Sequence, residues 1–142
     1  MNIVGIEAMN AFGGTTYLDV MELAKHRGGL DLTRFENLLM KEKAVALPFE
    51  DPITCGVNAA KPIVDGLSPP EEKDRIELLI TCSESGIDFG KSMSTYIHHY
   101  LGLNRNCRMF ELKQACYSGT AGLQMAVQFI LAQTSPGGAK AL

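Results

Sequence analysis

Two residues pair a reactive side chain with a place in the chain that favours its use. Cys116 stands in Lys113-Gln114-Ala115-Cys116-Tyr117-Ser118-Gly119-Thr120, where an apolar strand-like run, Cys107 to Leu112, gives way to a long apolar helical run. At a helix start the unpaired N–H groups and the positive end of the dipole favour a thiolate, so the pKa is expected below the free value of about 8.5. Small and capping residues follow, where backbone must approach a ligand closely. Glu84 closes a second apolar run, Arg75 to Cys82, in Ser83-Glu84-Ser85-Gly86. Crevices of open α/β sheets form at the carboxyl ends of strands, so a carboxylate there faces one. Both residues also have plainer readings: Cys116 as a buried inert thiol, Glu84 as an acid at the start of the next helix. Residue types alone leave these open, because a cysteine without a visible base is only a candidate nucleophile.

The elements that must position them follow from pattern. Ile3, Val4 and Ile6 predict a short strand ended by Asn10 and Gly13-Gly14, and Tyr17 to Lys25 a core-facing helix capped by Thr15 or Thr16 and stopped by Gly28-Gly29. Thr33 and Glu36 make a capping box for a short helix. Asp51 and Pro52 start a helix toward Asp65, with Pro62 as a kink and Gly66 as its end. Ser68 and Glu71 form another capping-box pattern. Arg75 to Cys82 reads as a strand buried on both faces, Asp88 to Leu101 as a helix closed by Gly102, and Cys107 to Leu112 as the next strand. Residues 120–132 are apolar nearly all round, the pattern of a helix buried between layers. Ser135-Pro136-Gly137-Gly138 is a loop, and Ala139 to Leu142 begins a strand that does not continue. Together these predict an α/β layered fold in one domain, 1–142, without internal repeats or a linker.

A chain of 142 residues with 46% hydrophobic content can bury a real core. Its net charge of −3 argues against nucleic acid as a partner through bulk electrostatics. No apolar run approaches the ~18 residues that span a bilayer, and no secretory signal precedes Cys55. Cys55, Cys82, Cys107 and Cys116 show neither C-x-x-C pairing nor metal-ligand spacing with His26, His98 and His99. The adjacent His98 and His99 point about a hundred degrees apart on a helix and cannot chelate one metal. The expectation is a cytoplasmic protein without metal or cofactor.

Glu111-Leu-Lys-Gln-Ala-Cys-Tyr-Ser-Gly-Thr-Ala-Gly-Leu-Gln124 resembles the nucleophile segment of hydroxymethylglutaryl-CoA synthases, in which Lys-x-Ala-Cys-Tyr is followed by small residues. Leu78 to Asp88 resembles the same family's segment with its catalytic glutamate, and Ile3 to Glu7 its first strand. Phe35 to Val64 and Ser83 to Leu103 look most like the branch that works on acyl carrier proteins in polyketide assembly lines. The resemblance implies a thiolase-like layered fold (α/β/α/β/α), of which this chain would be the N-terminal half. It also implies catalytic roles for Cys116 and Glu84, and places Asp31 and Leu32 beside the CoA or pantetheine arm, with Arg34 in reach of the arm's phosphate. The family's catalytic histidine lies beyond Leu142, and none of His26, His98 or His99 matches its motif. The chain alone is therefore expected to be inactive and the whole protein a homodimer.

By this resemblance Cys116 takes an acetyl group from a carrier protein, and Glu84 removes a methyl proton. The enolate then attacks the β-ketone of a second carrier-bound acyl chain, a β-branching reaction. Desolvation at the end of an apolar strand would raise the basicity of Glu84, and the Cys116 N–H would form part of an oxyanion hole. Three alternatives stand beside it: the primary-metabolism synthase using acetyl-CoA and acetoacetyl-CoA, a non-catalytic carrier-protein-binding relative, and a thiol redox protein. The last lacks a nearby resolving cysteine.

Overall fold

In the computed structural model, residues 3–28, 31–132 and 138–142 are described, so Gly29, Leu30 and the predicted loop at Ser135-Pro136-Gly137 lie outside them. The chain divides into two compact units, one of residues 12–51 and one of residues 1–11 with 52–142.

The smaller unit joins β1 (Tyr17–Asp19) to β2 (Glu42–Ala44) as an antiparallel pair, Leu18 opposite Lys43. Between them run α1 (Val20–Arg27) and α2 (Leu32–Asn37). The helix predicted from Tyr17 begins three residues later, because Tyr17 to Asp19 are held in the strand pair. Asp19, not Thr15 or Thr16, caps it by accepting from the Glu22 N–H at 2.9 Å. Gly28, at φ +61, ends it as expected. The Thr33/Glu36 capping box is likewise displaced: Asp31 is the cap and accepts from both the N–H and the hydroxyl of Thr33. Those bonds hold the Asp31 carboxyl below its ordinary pKa.

The larger unit is built on a parallel three-stranded sheet ordered β4 (Arg108–Leu112), β3 (Ile76–Cys82), β5 (Lys140–Ala141). The predicted buried strand holds the centre, with Ile76, Leu78 and Leu79 buried. Alternation along β3 sends Leu79 to one face and Ile80 and Cys82 to the other. On the Leu79 face lie α3 (Pro52–Asp65), with Pro52 at its first position, and α5 (Met93–Leu101). Ile53, Val64, Met93, Ile97 and Leu101 from these helices form the core with Leu79, Leu103 and Cys107. On the other face lies α6 (Tyr117–Ala132).

Four expectations are corrected in this unit. Ile3 to Ile6 form no strand, and Ile3 and Ile6 are exposed, because no described strand pairs with them. The segment is tethered instead by Asn10, which donates to the Ala59 carbonyl at 2.8 Å, and by an ion pair between Glu7 and Lys140. The Ser68/Glu71 capping box does not form. α4 (Glu71–Asp74) starts after Pro70, and the carbonyls of Pro69 and Pro70 take the Glu72 and Lys73 N–H groups. α5 begins at Met93 rather than Asp88, whose carboxylate accepts the Gly90 and Lys91 N–H groups in a turn. Finally, α6 is not buried between layers: only Ser118 and Gly122 are buried, and Leu123, Met125 and Leu131 face outward. The sheet covers one side of it and no described residue covers the other.

Candidate active site

β3 and β4 run parallel and adjacent, with Cys82 opposite Leu112, so the two turns that leave their carboxyl ends emerge side by side. The first turn carries Glu84. Ser83 fixes it by donating its N–H to the Leu112 carbonyl at 3.1 Å and by accepting the Ser85 N–H on its hydroxyl at 3.0 Å. The second carries Cys116. Tyr117 and Ser118 donate their N–H groups back to the Gln114 and Ala115 carbonyls at 3.0 and 3.2 Å, and the Ser118 hydroxyl bonds Ala115 as well, at 2.9 Å. Ala115 takes a left-handed φ of +43, a conformation that costs an L-residue on the order of 1 kcal/mol and turns the chain sharply into α6. Cys116 therefore sits immediately before the first residue of that helix.

The two predicted catalytic residues meet. The Cys116 thiol donates to Glu84 Oε1 at 3.0 Å, across thirty-two residues of sequence. Both are exposed, which removes the reading of Cys116 as a buried inert thiol. Glu84 is not an acid at a helix start either, since α5 begins only at Met93. Its exposure also means that the desolvating walls expected around it are not supplied by the described residues.

The electrostatics correct one expectation. The helix start was expected to lower the Cys116 pKa, yet it lies above the ordinary cysteine value. The cause is the Glu84 carboxylate, which takes the thiol's hydrogen bond and repels a negative sulfur; the Cys116 N–H, directed at its own sulfur, works the other way. A full carboxylate charge at hydrogen-bond distance outweighs the partial charge of a helix end. The thiol therefore holds its proton more tightly than an ordinary cysteine and donates it in the hydrogen bond to Glu84.

Two supports were not read from sequence. Ser83 locks the Glu84 turn, a role that the Ser-x-Ser spacing signals. Lys113 lies over Gly86, where any side chain would run into its Nζ, and stands 3.7 Å from Glu111 Oε1. Glu111 in turn accepts the Met93 N–H at 2.9 Å, tying the start of α5 to β4.

Asp31, Leu32 and Arg34 lie in the smaller unit, exposed on and around α2. His98 Nε2 donates to the Asn104 carbonyl oxygen, 2.8 Å away, and so has a structural bond rather than a place beside Cys116. Among the described residues no group of three or more His, Cys, Asp or Glu could hold a metal, and no helix is long and apolar enough to cross a membrane.

No family model matches the chain. Individual proteins do. The polyketide biosynthesis 3-hydroxy-3-methylglutaryl-ACP synthase PksG of Bacillus subtilis is 83% identical over 138 residues, 97% of this chain and 32% of PksG. The chain belongs to the hydroxymethylglutaryl synthase family. A solved structure of PksG superposes with a TM-score of 0.88 over 96% of this chain and 33% of that one. The HMG synthase of the curacin biosynthetic pathway, solved in complex with acetyl donor-ACP, is 68% identical with a TM-score of 0.86, again over 96% of this chain and 33% of its own. The hydroxymethylglutaryl-CoA synthase of Enterococcus faecalis is more distant, 33% identical over 87% of this chain and 31% of its own length. The thiolase-like α/β fold is thus shared with these synthases, and the chain spans about a third of the length of the relatives it matches.

Proposed function

We propose that this chain supplies the nucleophile and base of a hydroxymethylglutaryl synthase that acts on carrier-protein thioesters in polyketide β-branching. The observation that carries the reading is the 3.0 Å hydrogen bond from the Cys116 thiol to Glu84. As the Cys116 sulfur attacks an acetyl thioester, Glu84 takes the thiol proton. The new carbon–sulfur bond replaces the bond to the pantetheine arm, and that proton leaves on the departing thiol. Acetylation removes the thiol hydrogen bond and brings the acetyl methyl beside the same carboxylate. Glu84 then abstracts a methyl proton, and the Cys116 N–H stabilises the enolate oxygen. The enolate carbon attacks the β-ketone of a second carrier-bound chain, forming the carbon–carbon bond, and water releases the Cys116 thioester. Holding the donor on sulfur converts a bimolecular encounter into a positioned step.

The acid that protonates the new alkoxide is assigned to a histidine in the remainder of a synthase, so these residues by themselves carry no complete cycle. The donor and acceptor are acyl carrier proteins, a reading supported by the higher identity to PksG and to the curacin pathway synthase than to the Enterococcus CoA enzyme. Asp31 and Leu32 are proposed to line the pantetheine arm and Arg34 to bind its phosphate through its planar donors. No cofactor beyond the thioester arm is invoked, and the working form is proposed to be a cytoplasmic homodimer.

Intact mass of the full-length protein incubated with acetyl-loaded carrier protein tests this. One acetyl group is expected, absent in Cys116→Ser. Labelling by acetyl-CoA but not by carrier protein would favour the primary-metabolism synthase, and no labelling by either would overturn the catalytic reading.

A further inference from the structure

We propose that Gly122 is a positioning residue for the Cys116–Glu84 pair: its missing side chain sets the depth at which α6 is seated on the end of β3. The geometric role stands on the packing alone; its importance for turnover rests on the function proposed above.

Gly122 and Ser118, one turn apart, are the two buried residues of α6. A Cβ built on Gly122 would lie 2.5 Å from the Cys82 sulfur, where real Cβ atoms essentially never come within 3.0 Å of a neighbour. The same Cβ would be 3.5 Å from Ile80 Cγ2 and 3.7 Å from Leu112 Cδ1, which is ordinary contact. A single atom therefore forbids the methyl group. Cys82 is an exposed residue, so its sulfur yields only by turning about its side-chain bond and giving up its place against Gly122. It hangs from one rotatable bond on a strand paired to β4 at that residue, and the Gly122 N–H faces it. With the sulfur kept against the Gly122 N–H, restoring contact to its optimum of roughly 3.5 Å parts the helix and strand by about 1 Å.

The elements that touch at this point carry the two reactive atoms. Cys116 immediately precedes α6 and is tied to its first turn, while Glu84 follows Cys82 through the pinned Ser83. Parting them by about 1 Å takes a 3.0 Å hydrogen bond beyond useful range. Glu84 is the titratable group that acts on the Cys116 sulfur, so the pH dependence of Cys116 reactivity reports their separation.

The test alkylates Cys116 across pH in the folded full-length protein, with the modified site mapped by mass spectrometry. In wild type the midpoint should lie above that of an ordinary cysteine. Gly122→Ala should lower it to the value of Glu84→Gln, and the double variant Cys82→Ala with Gly122→Ala should restore it, because alanine at 82 vacates the place the methyl needs. Cys82→Val, which adds bulk from the strand side, should lower the midpoint with Gly122 intact and serves if Gly122→Ala does not fold. A wild-type midpoint in Gly122→Ala, in Cys82→Val where Gly122→Ala does not fold, or a double variant that fails to restore it, would overturn the proposal. If the midpoints move as expected but no variant or wild type takes up acetyl, the acyl-transfer reading fails and the positioning role stands.

Discussion

At the scale of single residues, Glu84 opposes ionisation of the thiol that it bonds. Glu84 raises the thiol pKa, so below that raised value Cys116 is held protonated and alkylates slowly. Glu84→Gln removes the charge, and the sign follows: the pKa falls toward the ordinary value and the thiolate fraction at neutral pH rises. Alkylation near pH 7.5 is therefore expected to be faster in Glu84→Gln than in wild type, even as the carbon–carbon bond-forming step is lost because no base remains. Stopped-flow alkylation beside a condensation assay checks both; slower alkylation in the variant would contradict the geometry. The motif around Cys116 was legible because strand-to-helix junctions leave a signature of small and capping residues. The direction of its pKa shift was not, because it depends on a carboxylate thirty-two residues away.

At the scale of elements, some boundaries were set by partners that local pattern does not contain. Thr15, Thr33, Ser68 and Asp88 all have the residue type of a helix start; Thr33 and Ser68 are displaced by local bonds around Asp31 and Pro69-Pro70, Thr15 and Asp88 by residues that another strand holds. Asp19 caps α1 because β1 holds the residues before it, and α5 starts at Met93, whose N–H is bound by Glu111 from β4. Helix ends were more legible. Gly28 and Gly102 stop α1 and α5 in conformations that L side chains avoid, which is a local requirement. Gly102 holds φ +59 and donates its N–H to the carbonyls of the last turn of α5. Gly102→Ala is expected to cost roughly 1 kcal/mol, since alanine pays for left-handed backbone. Thermal unfolding should show a melting temperature lowered by several degrees; an unchanged value would mean the turn relaxes to another cap.

At the scale of the whole molecule, several large apolar side chains stand in solvent. Leu123, Met125 and Leu131 of α6 are exposed, and Phe89 and Ile3 are almost wholly so. Large apolar side chains left in water at several places expose surface that a hydrophobic probe can bind. The 142-residue chain produced by itself is expected to bind a hydrophobic dye strongly and to show no condensation, while the full-length protein binds the dye weakly. Weak dye binding by the chain alone would show that these side chains find cover within it.

The sequence by itself determined the central strand, its helical neighbours and the glycine stops, because each depends on side-chain period or on backbone freedom at one position, while Cys116 and Glu84 were singled out by the family resemblance. Only the tertiary structure decided that the Cys116 thiol donates to Glu84, that Ser83 and Gly122 hold them at that distance, and that one face of the apolar helix stands open. Those facts depend on which elements lie side by side, and parallel strands joined through a helix bring together residues that no local pattern relates.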